Sequence, residues 1–398
     1  MLRWPRRPLG ERYGFRAAPC TGALYHVELY LATAERPDLP AGLYHYGAHD
    51  HRLRRIRHGD VRAALRRAAG DFAPLASAPL VVVLTSTFWR NAWKYRERAY
   101  RHAFWDSGAV LANILALGAD SREAVSVVAG FVDAEVDHLV GADGERETAV
   151  ALVAFGSGAT APAAAPPLDE LALPIEPLSP REVVYPSIVE AHRRSAFGSP
   201  DDVAAWRARA QAVSDAMPAP IAGRHIEDII RARRSTRDFS KGPIAREQLE
   251  RILEAAVAPI PGDAFGEVIE PFLIVNAVQG LARGAYSADL APIREGDLRR
   301  AAGELALGQE LGASAAADLY FLSDLDTVLE RYGERGYRVA QMAGGIAGGR
   351  VELTATAMDL AATGLTFFDD EVTRFFEPAS AGRQVMYLAA VGLRPEPS

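Results

Sequence analysis

The segment Tyr-Arg-Glu-Arg-Ala-Tyr-Arg at residues 95–101 recurs as Tyr-Gly-Glu-Arg-Gly-Tyr-Arg at residues 332–338. The second copy begins 237 residues after the first, and Gly108 matches Gly345 at the same spacing. Four later matches keep this order at a spacing of 236: Phe131, Asp133, Glu135 and Val136 with Phe367, Asp369, Glu371 and Val372. Two related domains in one chain commonly replace the two subunits of a homodimer. We therefore expect a pseudo-dimer with its functional site at the junction of the halves.

Composition excludes several classes of protein. The 398 residues carry a net charge of −7, which is the wrong sign for a dedicated nucleic-acid binder, and we expect the basic stretch 52–67 to be a solvated face. No window approaches the ~18 apolar residues that a membrane span needs. The single cysteine, Cys20, excludes an intramolecular disulfide and a CxxC metal site and indicates a reducing, cytoplasmic environment. The spacing of the histidines does not favour a metal site either, so none is predicted.

The chain divides into three parts. Residues 158–222 form a linker that begins with a stretch rich in proline and alanine and continues into a helix opened by Ser199 as N-cap, which we expect to wrap the second domain. Residues 1–157 and 223–398 flank it as an N-terminal domain with a truncated start and a C-terminal domain. Both mix apolar strands with helices, which predicts an α+β layered fold.

A long helix is predicted from Tyr337 to Ala362, although it contains Gly344, Gly345, Gly348 and Gly349. Each glycine inside a helix costs up to ~1 kcal/mol relative to alanine. Glycines four apart also form a smooth stripe that lets another backbone approach. We expect this helix to pack on its repeat partner; a kinked helix is the alternative.

The clearest cluster of polar groups is Arg233, Arg234, Ser235, Thr236 and Arg237, which follows a predicted helix. Guanidinium groups beside a hydroxyl suit a phosphate. Taken alone, the same residues are more typical of a solvated basic helix end, which also interacts favourably with the helix dipole.

A wider pattern includes this cluster. The run from Arg233 to Phe239, followed by Pro243 and Ile244, resembles the opening of the FMN-dependent nitroreductase family. Within that superfamily the chain is most similar to the SagB/ThcOx-type dehydrogenases, through Gly22-Ala23-Leu24-Tyr25, Gly42-Leu43-Tyr44-His45-Tyr46 and Trp93-Lys94-Tyr95. The resemblance implies a nitroreductase-like α/β/α layered fold, present twice and fused as an intramolecular pseudo-dimer, with FMN as the cofactor.

Members of the family hold FMN between two subunits, and here the corresponding motifs are divided between the halves. The first half starts too late to contain an Arg-Arg-Ser segment, whereas the second half has a degraded loop at residues 258–266. The resemblance thus implies one composite FMN site. Its expected cofactor-binding residues are Arg233, Arg234, Ser235, Arg237, the turn at Gly364 and Leu365, and Arg394 from the second half, with Pro19, Cys20, Thr21 and Gly22 from the first.

Lys94 and Tyr95 match the Lys-Tyr pair of azoline-oxidising family members and are the catalytic candidates. The second half has Arg331 and Tyr332 instead, and arginine cannot release a proton in a protein. A lysine acts as a base when burial or nearby cations lower its pKa. The alternative for Lys94 is a surface lysine beside a packed tyrosine.

The resemblance implies oxidation of azoline heterocycles in a modified peptide to azoles, with a cyclodehydratase complex as a possible partner and further oligomerisation open. Two alternatives stand beside it. One is an NAD(P)H-dependent reductase of nitro or quinone compounds, which would act on a small molecule. The other is a non-catalytic scaffold subunit of a peptide-modifying complex.

Overall fold

Strands and helices alternate along the chain in two similar sets. The computed structural model describes residues 2–3, 14–174, 176–221 and 223–395. The strands are β1 (Leu2–Arg3), β2 (Phe15–Arg16), β3 (Val27–Thr33), β4 (Gly42–Gly47), β5 (Arg52–His58), β6 (Leu80–Thr87), β7 (Val125–Val128), β8 (Glu147–Phe155), β9 (Glu270–Val275), β10 (Gly284–Tyr286), β11 (Pro292–Glu295), β12 (Ala317–Ser323), β13 (Ala361–Leu365) and β14 (Gln384–Gly392). The helices are α1 (Arg62–Ala68), α2 (Trp89–Tyr95), α3 (Ala99–Ser121), α4 (Asp133–Val140), α5 (Pro186–Arg194), α6 (Pro200–Ala210), α7 (Ile226–Ala232), α8 (Arg246–Val257), α9 (Arg299–Leu305), α10 (Glu310–Ser314), α11 (Leu325–Tyr332), α12 (Arg335–Ala357) and α13 (Asp369–Phe375).

Each half builds a six-stranded antiparallel sheet. The strand order is β5-β4-β3-β6-β8-β7 in the first half and β11-β10-β9-β12-β14-β13 in the second, which is the same topology. This confirms the expected α+β fold in two fused copies.

The first sheet is covered by helices on both faces. Along β6, Val82 and Leu84 share an apolar cluster with Phe104 of α3, whereas Val81 and Val83 share another with Leu65 of α1. Alternate residues of a strand point to opposite faces, so a strand buried on both faces is apolar throughout. The Val81–Leu84 run therefore places β6 in the middle of a three-layered domain.

The halves meet along α3 and α12, whose backbones approach closely at Gly108 and Gly345. A Cβ on Gly345 would lie 2.4 Å from the carbonyl oxygen of Trp105, and one on Gly108 would lie 2.6 Å from the amide nitrogen of Ile346. Gly349 faces Ala109 and Ala112 of α3. Gly344 and Gly348 instead face β14, where a Cβ on Gly348 would lie 2.1 Å from the Tyr387 ring. Two of the four glycines thus contact the partner helix, and two accommodate the sheet.

The predicted C-terminal end of this helix was wrong. Helix α12 ends at Ala357, and Asp359 takes a positive φ of 58° that redirects the chain into β13. Residues 361–365 pair with β14, whose backbone groups compete with continuation of the helix.

The repeated segment pairs across the junction in a reciprocal way. Arg98 of the first half donates to Asp369 of the second at 3.0 Å, while Arg335 and Arg338 of the second half donate to Asp133 of the first. Arg101 also donates to Asp369. Reciprocal contacts of this kind are the signature of a two-fold interface. Tyr100 and Tyr337, one from each copy, stack with ring planes 1° apart at 6.2 Å.

The linker lies against both halves. Ser199 caps α6 by accepting a hydrogen bond from the Asp202 amide at 3.2 Å, as predicted. Trp206 of α6 donates to the Tyr332 carbonyl in the second half, and Arg207 donates to the Ala69 carbonyl in the first. The helix therefore bridges the halves and does not wrap the second domain alone.

The expectation of a solvated basic face for residues 52–67 was wrong for two arginines. Arg57 and Arg62 are buried, and each donates to linker carbonyls, of Asp169 and Ala159 respectively. Buried guanidinium groups need acceptors, and the extended linker supplies carbonyls free of helix or sheet bonding.

In the described part of the chain, no helix combines the length and the apolarity that a bilayer crossing requires.

Candidate functional site

The loop at Pro19–Gly22 and the pair Lys94 and Tyr95 lie together at one side of the junction. The loop ends in a short 3-10 turn, where Gly22 takes a φ of +65° that other residues adopt with strain. A Cβ on Gly22 would lie 2.7 Å from Tyr95 Oη and 3.4 Å from Lys94 Nζ. Two segments predicted from different motifs therefore form one surface.

Lys94 is exposed at the end of α2, with its Nζ 5.1 Å from the centroid of the Tyr95 ring. Tyr95 is partly buried and packs edge-on against the His102 ring at 4.8 Å. Two nearby cations are ion-paired, Arg90 with Glu28 at 2.9 Å and Arg98 with Asp369. The burial named above as one condition for a lysine base is absent at Lys94.

The Arg-Ser cluster extends along the edge of the second sheet. Ser235 pairs in parallel with Ala362 of β13, and the Thr236 amide donates to the Ala362 carbonyl at 3.1 Å. The segment then reaches the end of β14, where the Ser240 amide donates to the Leu393 carbonyl. The cluster thus crosses the ends of two adjacent strands.

Three exposed guanidinium groups belong to this edge. Arg234 and Arg237 make no ion pair within the part of the chain that the structure describes. Arg394 follows Leu393 and donates to the Leu360 carbonyl, just before β13, at 3.3 Å. The ends of β13 and β14 therefore offer exposed arginines to an anion, and the half-buried Ser235 hydroxyl beside them donates to Glu352 Oε2 at 3.5 Å.

Arg233 differs from its neighbours because it is buried. Its Nη1 donates to Glu352 Oε2 of α12 at 2.6 Å, and its Nε donates to the Ala17 carbonyl of the first half at 2.8 Å. A phosphate at Arg233 would bring a second negative charge beside the buried Glu352 carboxylate. The structure therefore places Arg233 as a tie between the halves.

Gly364 and Leu365 lie in β13, so the expected turn is a strand end. A Cβ on Gly364 would lie 2.3 Å from Tyr387 Oη. Burial, reinforced by the Glu352 and Asp106 carboxylates, raises the pKa of Tyr387 well above its ordinary value. The absence of a side chain at Gly364 is what admits this protonated phenol.

Sequence reasoning missed Asp106 and His26, which lie directly beneath the Pro19–Gly22 loop. Asp106 of α3 accepts hydrogen bonds from Cys20 Sγ at 3.0 Å, from the Thr21 amide and hydroxyl, and from His26 Nε2 at 2.7 Å. Burial acts to raise the pKa of Asp106, but the hydrogen bonds from His26 and Cys20 and the charge interactions with His26 and His102 together lower it below its ordinary value. Burial, together with Asp106, raises the pKa of the Cys20 thiol. The repeat offered a signal for Asp106: the matching position 237 residues later is Ala343, so the carboxylate occurs in one copy only.

The opposite side of the junction is filled by the chain itself. Gly262, from the degraded loop, pairs in parallel with Val127 of β7, and the Asp263 amide donates to the Val127 carbonyl. Trp206 covers Tyr332, with ring centroids 6.0 Å apart, and Arg331 donates to the Ala210 carbonyl at 2.7 Å. Arg331 and Tyr332, the counterparts of Lys94 and Tyr95, are therefore in contact with the linker.

Comparison with known proteins agrees with this architecture. A solved structure from Anabaena variabilis, provisionally named a nitroreductase, is 28% identical, has a TM-score of 0.80, and covers 99% of this chain and 86% of its own. A curated protein of Methanocaldococcus jannaschii, also provisionally named a nitroreductase (MJ1384), is 26% identical over 130 residues. That alignment spans 33% of this chain and 66% of the relative, just under two thirds of its length.

A weaker likeness is to the E. coli microcin synthetase McbBCD complex with truncated pro-MccB17 bound. It is 22% identical, has a TM-score of 0.33, and covers 39% of this chain and 59% of that one. The sequence profile described as the Nitroreductase family matches residues 12–157 and 230–393, one segment in each half. With more than half of its length matched in this way, the chain belongs to the nitroreductase family.

Proposed function

We propose that this protein is an FMN-dependent oxidoreductase of the SagB/ThcOx type with one composite cofactor site, which oxidises azoline heterocycles of a modified peptide. The observation that carries the single site is the asymmetry of the junction. On one side Arg233 donates to the Ala17 carbonyl, just before the Pro19–Gly22 loop that lies against Lys94, whereas Gly262 and the linker fill the other side.

The open side fits the chemistry of a flavin phosphate, and proteins of this family typically bind a flavin. Arg234, Arg237 and Arg394 present exposed guanidinium groups, which recognise phosphate by charge-assisted, bidentate hydrogen bonds. Ser235 adds a neutral hydroxyl, and the exposed Gly22 lies beside Lys94 and Tyr95. In this proposal the three arginines and Ser235 hold the cofactor, and Arg233 holds the two halves around it.

Oxidation of an azoline to an azole removes two hydrogens, one as a proton and the other as a hydride that carries both electrons. Bound FMN would supply the two-electron acceptor, which passes electrons onward to oxygen. Lys94 Nζ, beside Gly22 and over the Tyr95 ring, is the group that would take the proton. Only two lysines, Lys94 and Lys241, occur among the 44 basic Lys and Arg residues, so an amine at this site is an unusual choice for this chain.

The cofactor content tests the single site. Protein purified with excess FMN and desalted should show a flavin spectrum equivalent to one FMN per chain. Two per chain would contradict the composite site, and none would favour a scaffold subunit.

The type of reaction is tested by anaerobic mixing of the flavin-loaded protein with NADPH. An azoline oxidase should keep its oxidised flavin spectrum, whereas bleaching would indicate the nitro or quinone reductase. With an azoline peptide as reductant, Lys94→Ala should abolish bleaching and retain FMN. Lys241→Ala, which removes the only other lysine, is the matched control, and normal turnover by Lys94→Ala would exclude Lys94 from the chemistry.

A further inference from the structure

We propose that Asp106 and His26 are positioning residues that hold the Cys20–Thr21 turn in the conformation that closes the cofactor site. This inference rests on the composite FMN site proposed above. It assigns a role to two buried residues that do not belong to any of the motifs of the sequence analysis.

Asp106 has the geometry of an anchor for this turn. Its carboxylate accepts from the Thr21 amide through both oxygens, at 2.9 and 3.0 Å, and from the Thr21 hydroxyl at 2.9 Å. Because Asp106 lies on α3, the helix that packs on α12, it ties the turn to the helix pair at which the two halves meet. The turn itself makes few contacts that could replace this anchor, since Pro19–Thr21 are only partly buried and Gly22 is exposed and has a positive φ.

His26 fixes the orientation of the carboxylate. The imidazole is fully buried, with Nε2 2.7 Å from Asp106 Oδ2 and Nδ1 2.9 Å from Ser86 Oγ of β6. Both ring nitrogens therefore have partners, and the ring links α3 to the sheet. The Tyr25 amide in turn donates to Cys20 Sγ at 3.0 Å, which closes the turn on the same group of residues.

The anchored loop also lies next to one of the contacts between the two halves. Arg233 Nε donates to the carbonyl of Ala17, three residues before Cys20. A turn released from Asp106 would therefore lose its register with Arg233 and with Gly364 and Ser235 beyond it. The expected consequence is weaker cofactor binding without a defect in the residues that contact the cofactor.

The filled side of the junction provides a matched control. Asp263 is fully buried and accepts from the Ala129 amide at 2.7 Å and the Gly130 amide at 3.0 Å, with Arg207 as its cation at 3.1 Å. It secures the loop of the second half as Asp106 secures the loop of the first, but it faces the linker. Asp263→Asn should therefore cost folding stability and spare the cofactor site.

The test compares Asp106→Asn and Asp263→Asn in the full chain. We expect Asp106→Asn to raise the Kd for FMN about tenfold or more, since an amide replaces a charged acceptor of four hydrogen bonds. Asp263→Asn should leave the Kd within about twofold of wild type at an equal or larger loss of thermal stability. Equal effects of the two variants on FMN affinity would mean that Asp106 contributes only to overall stability, which would overturn the proposal.

A second measurement does not depend on the cofactor. Hydrogen exchange of the cofactor-free chain should show faster exchange of residues 18–23 in Asp106→Asn than in wild type or in Asp263→Asn, and His26→Gln should give an intermediate rate. Unchanged exchange in that segment would overturn the positioning role, even if wild-type protein binds FMN. If wild type binds no FMN but the exchange pattern is as expected, the proposed function fails and the anchoring of the loop stands.

Discussion

Strands β7 and β13 end the two sheets at matching positions, yet different segments of the chain lie along them. Ser235 of the Arg-Ser cluster pairs with Ala362 of β13, whereas Gly262 of the opposite loop pairs with Val127 of β7. On the β13 side of the junction, Lys94 is exposed and Tyr95 is partly buried. On the β7 side, their counterpart Arg331 donates to the linker, and Tyr332 is covered by Trp206 of the linker.

The difference shows what fusion of two subunits permits. In a homodimer the two sites are identical, so a residue lost from one is lost from both. In a single chain, one side can keep its exposed polar groups while the other gains buried contacts. The side near β7 has an apolar cap in Trp206, and its ion pairs around Asp133 are more deeply buried than the matching pairs of Asp369.

The largest expected difference is between the reciprocal carboxylates. Asp133→Ala would leave Arg335 and Arg338, each with 2% side-chain exposure, without their counter-charge, and removing one partner of a buried pair costs about 3–5 kcal/mol. Asp369→Ala removes the matching carboxylate, which is 34% exposed, and should cost about 1 kcal/mol or less. Urea denaturation of both variants measures the free energy of unfolding. Equal losses would contradict the contrast between a closed and an open side.

The tryptophans of the two sides should differ almost as much. Trp206→Ala removes a buried ring that packs between the halves, and such substitutions cost about 3–5 kcal/mol. Trp93, next to Lys94, is 56% exposed, so Trp93→Ala should change stability by about 0.5 kcal/mol or less. Thermal unfolding of both variants checks this. A similar loss for Trp93→Ala would mean that the open side is also part of the core.

Substitutions at two glycines should affect stability and cofactor binding differently. A Cβ on Gly262 would lie 2.2 Å from the Val127 carbonyl oxygen, a backbone atom that cannot move aside, so Gly262→Ala should cost about 1–3 kcal/mol and leave FMN affinity unchanged. A Cβ on Gly22 would meet the ends of the Tyr95 and Lys94 side chains, so Gly22→Ala should weaken FMN binding or turnover with a smaller loss of stability. Isothermal titration with FMN and a melting curve on each variant test both. The opposite pattern would place the functional site near β7.

The smallest effect concerns pH on the closed side. Burial raises the pKa of Asp137 to about 7, although the Ala149 amide donates to it and opposes that shift. Because the unfolded pKa is about 3.9, the folded state binds this proton more tightly, and stability is lost as pH rises from about 4 through 7.

Asp137→Asn removes this titration. Its melting temperature should fall less than that of wild type between pH 5.5 and pH 8, corresponding to a difference on the order of 1–2 kcal/mol. Parallel pH profiles for the two proteins would assign the wild-type pH dependence to other groups.

Local pattern was sufficient where a segment's own residues decide its structure. The Ser199 cap lies where the sequence predicts it, because capping acts over a few residues. The end of α12 was misplaced because residues 361–365 are as apolar as a helix continuation, and only the pairing with β14 makes them a strand. The long-range partners Asp106, His26 and Glu352 carry no local signature at all.

The sequence by itself determined that two related domains share this chain, that their motifs differ, and that Lys94 and the Arg233–Arg237 cluster stand in different halves, since repeats and residue types are properties of the order of amino acids. Only the tertiary structure decided how these differences combine. Whether an arginine is exposed, as Arg234 is, or buried against Glu352, as Arg233 is, depends on groups more than a hundred residues away. Burial and charge compensation are set by three-dimensional neighbours, and for this reason the structure alone showed that the linker fills one side of the junction and leaves the other open.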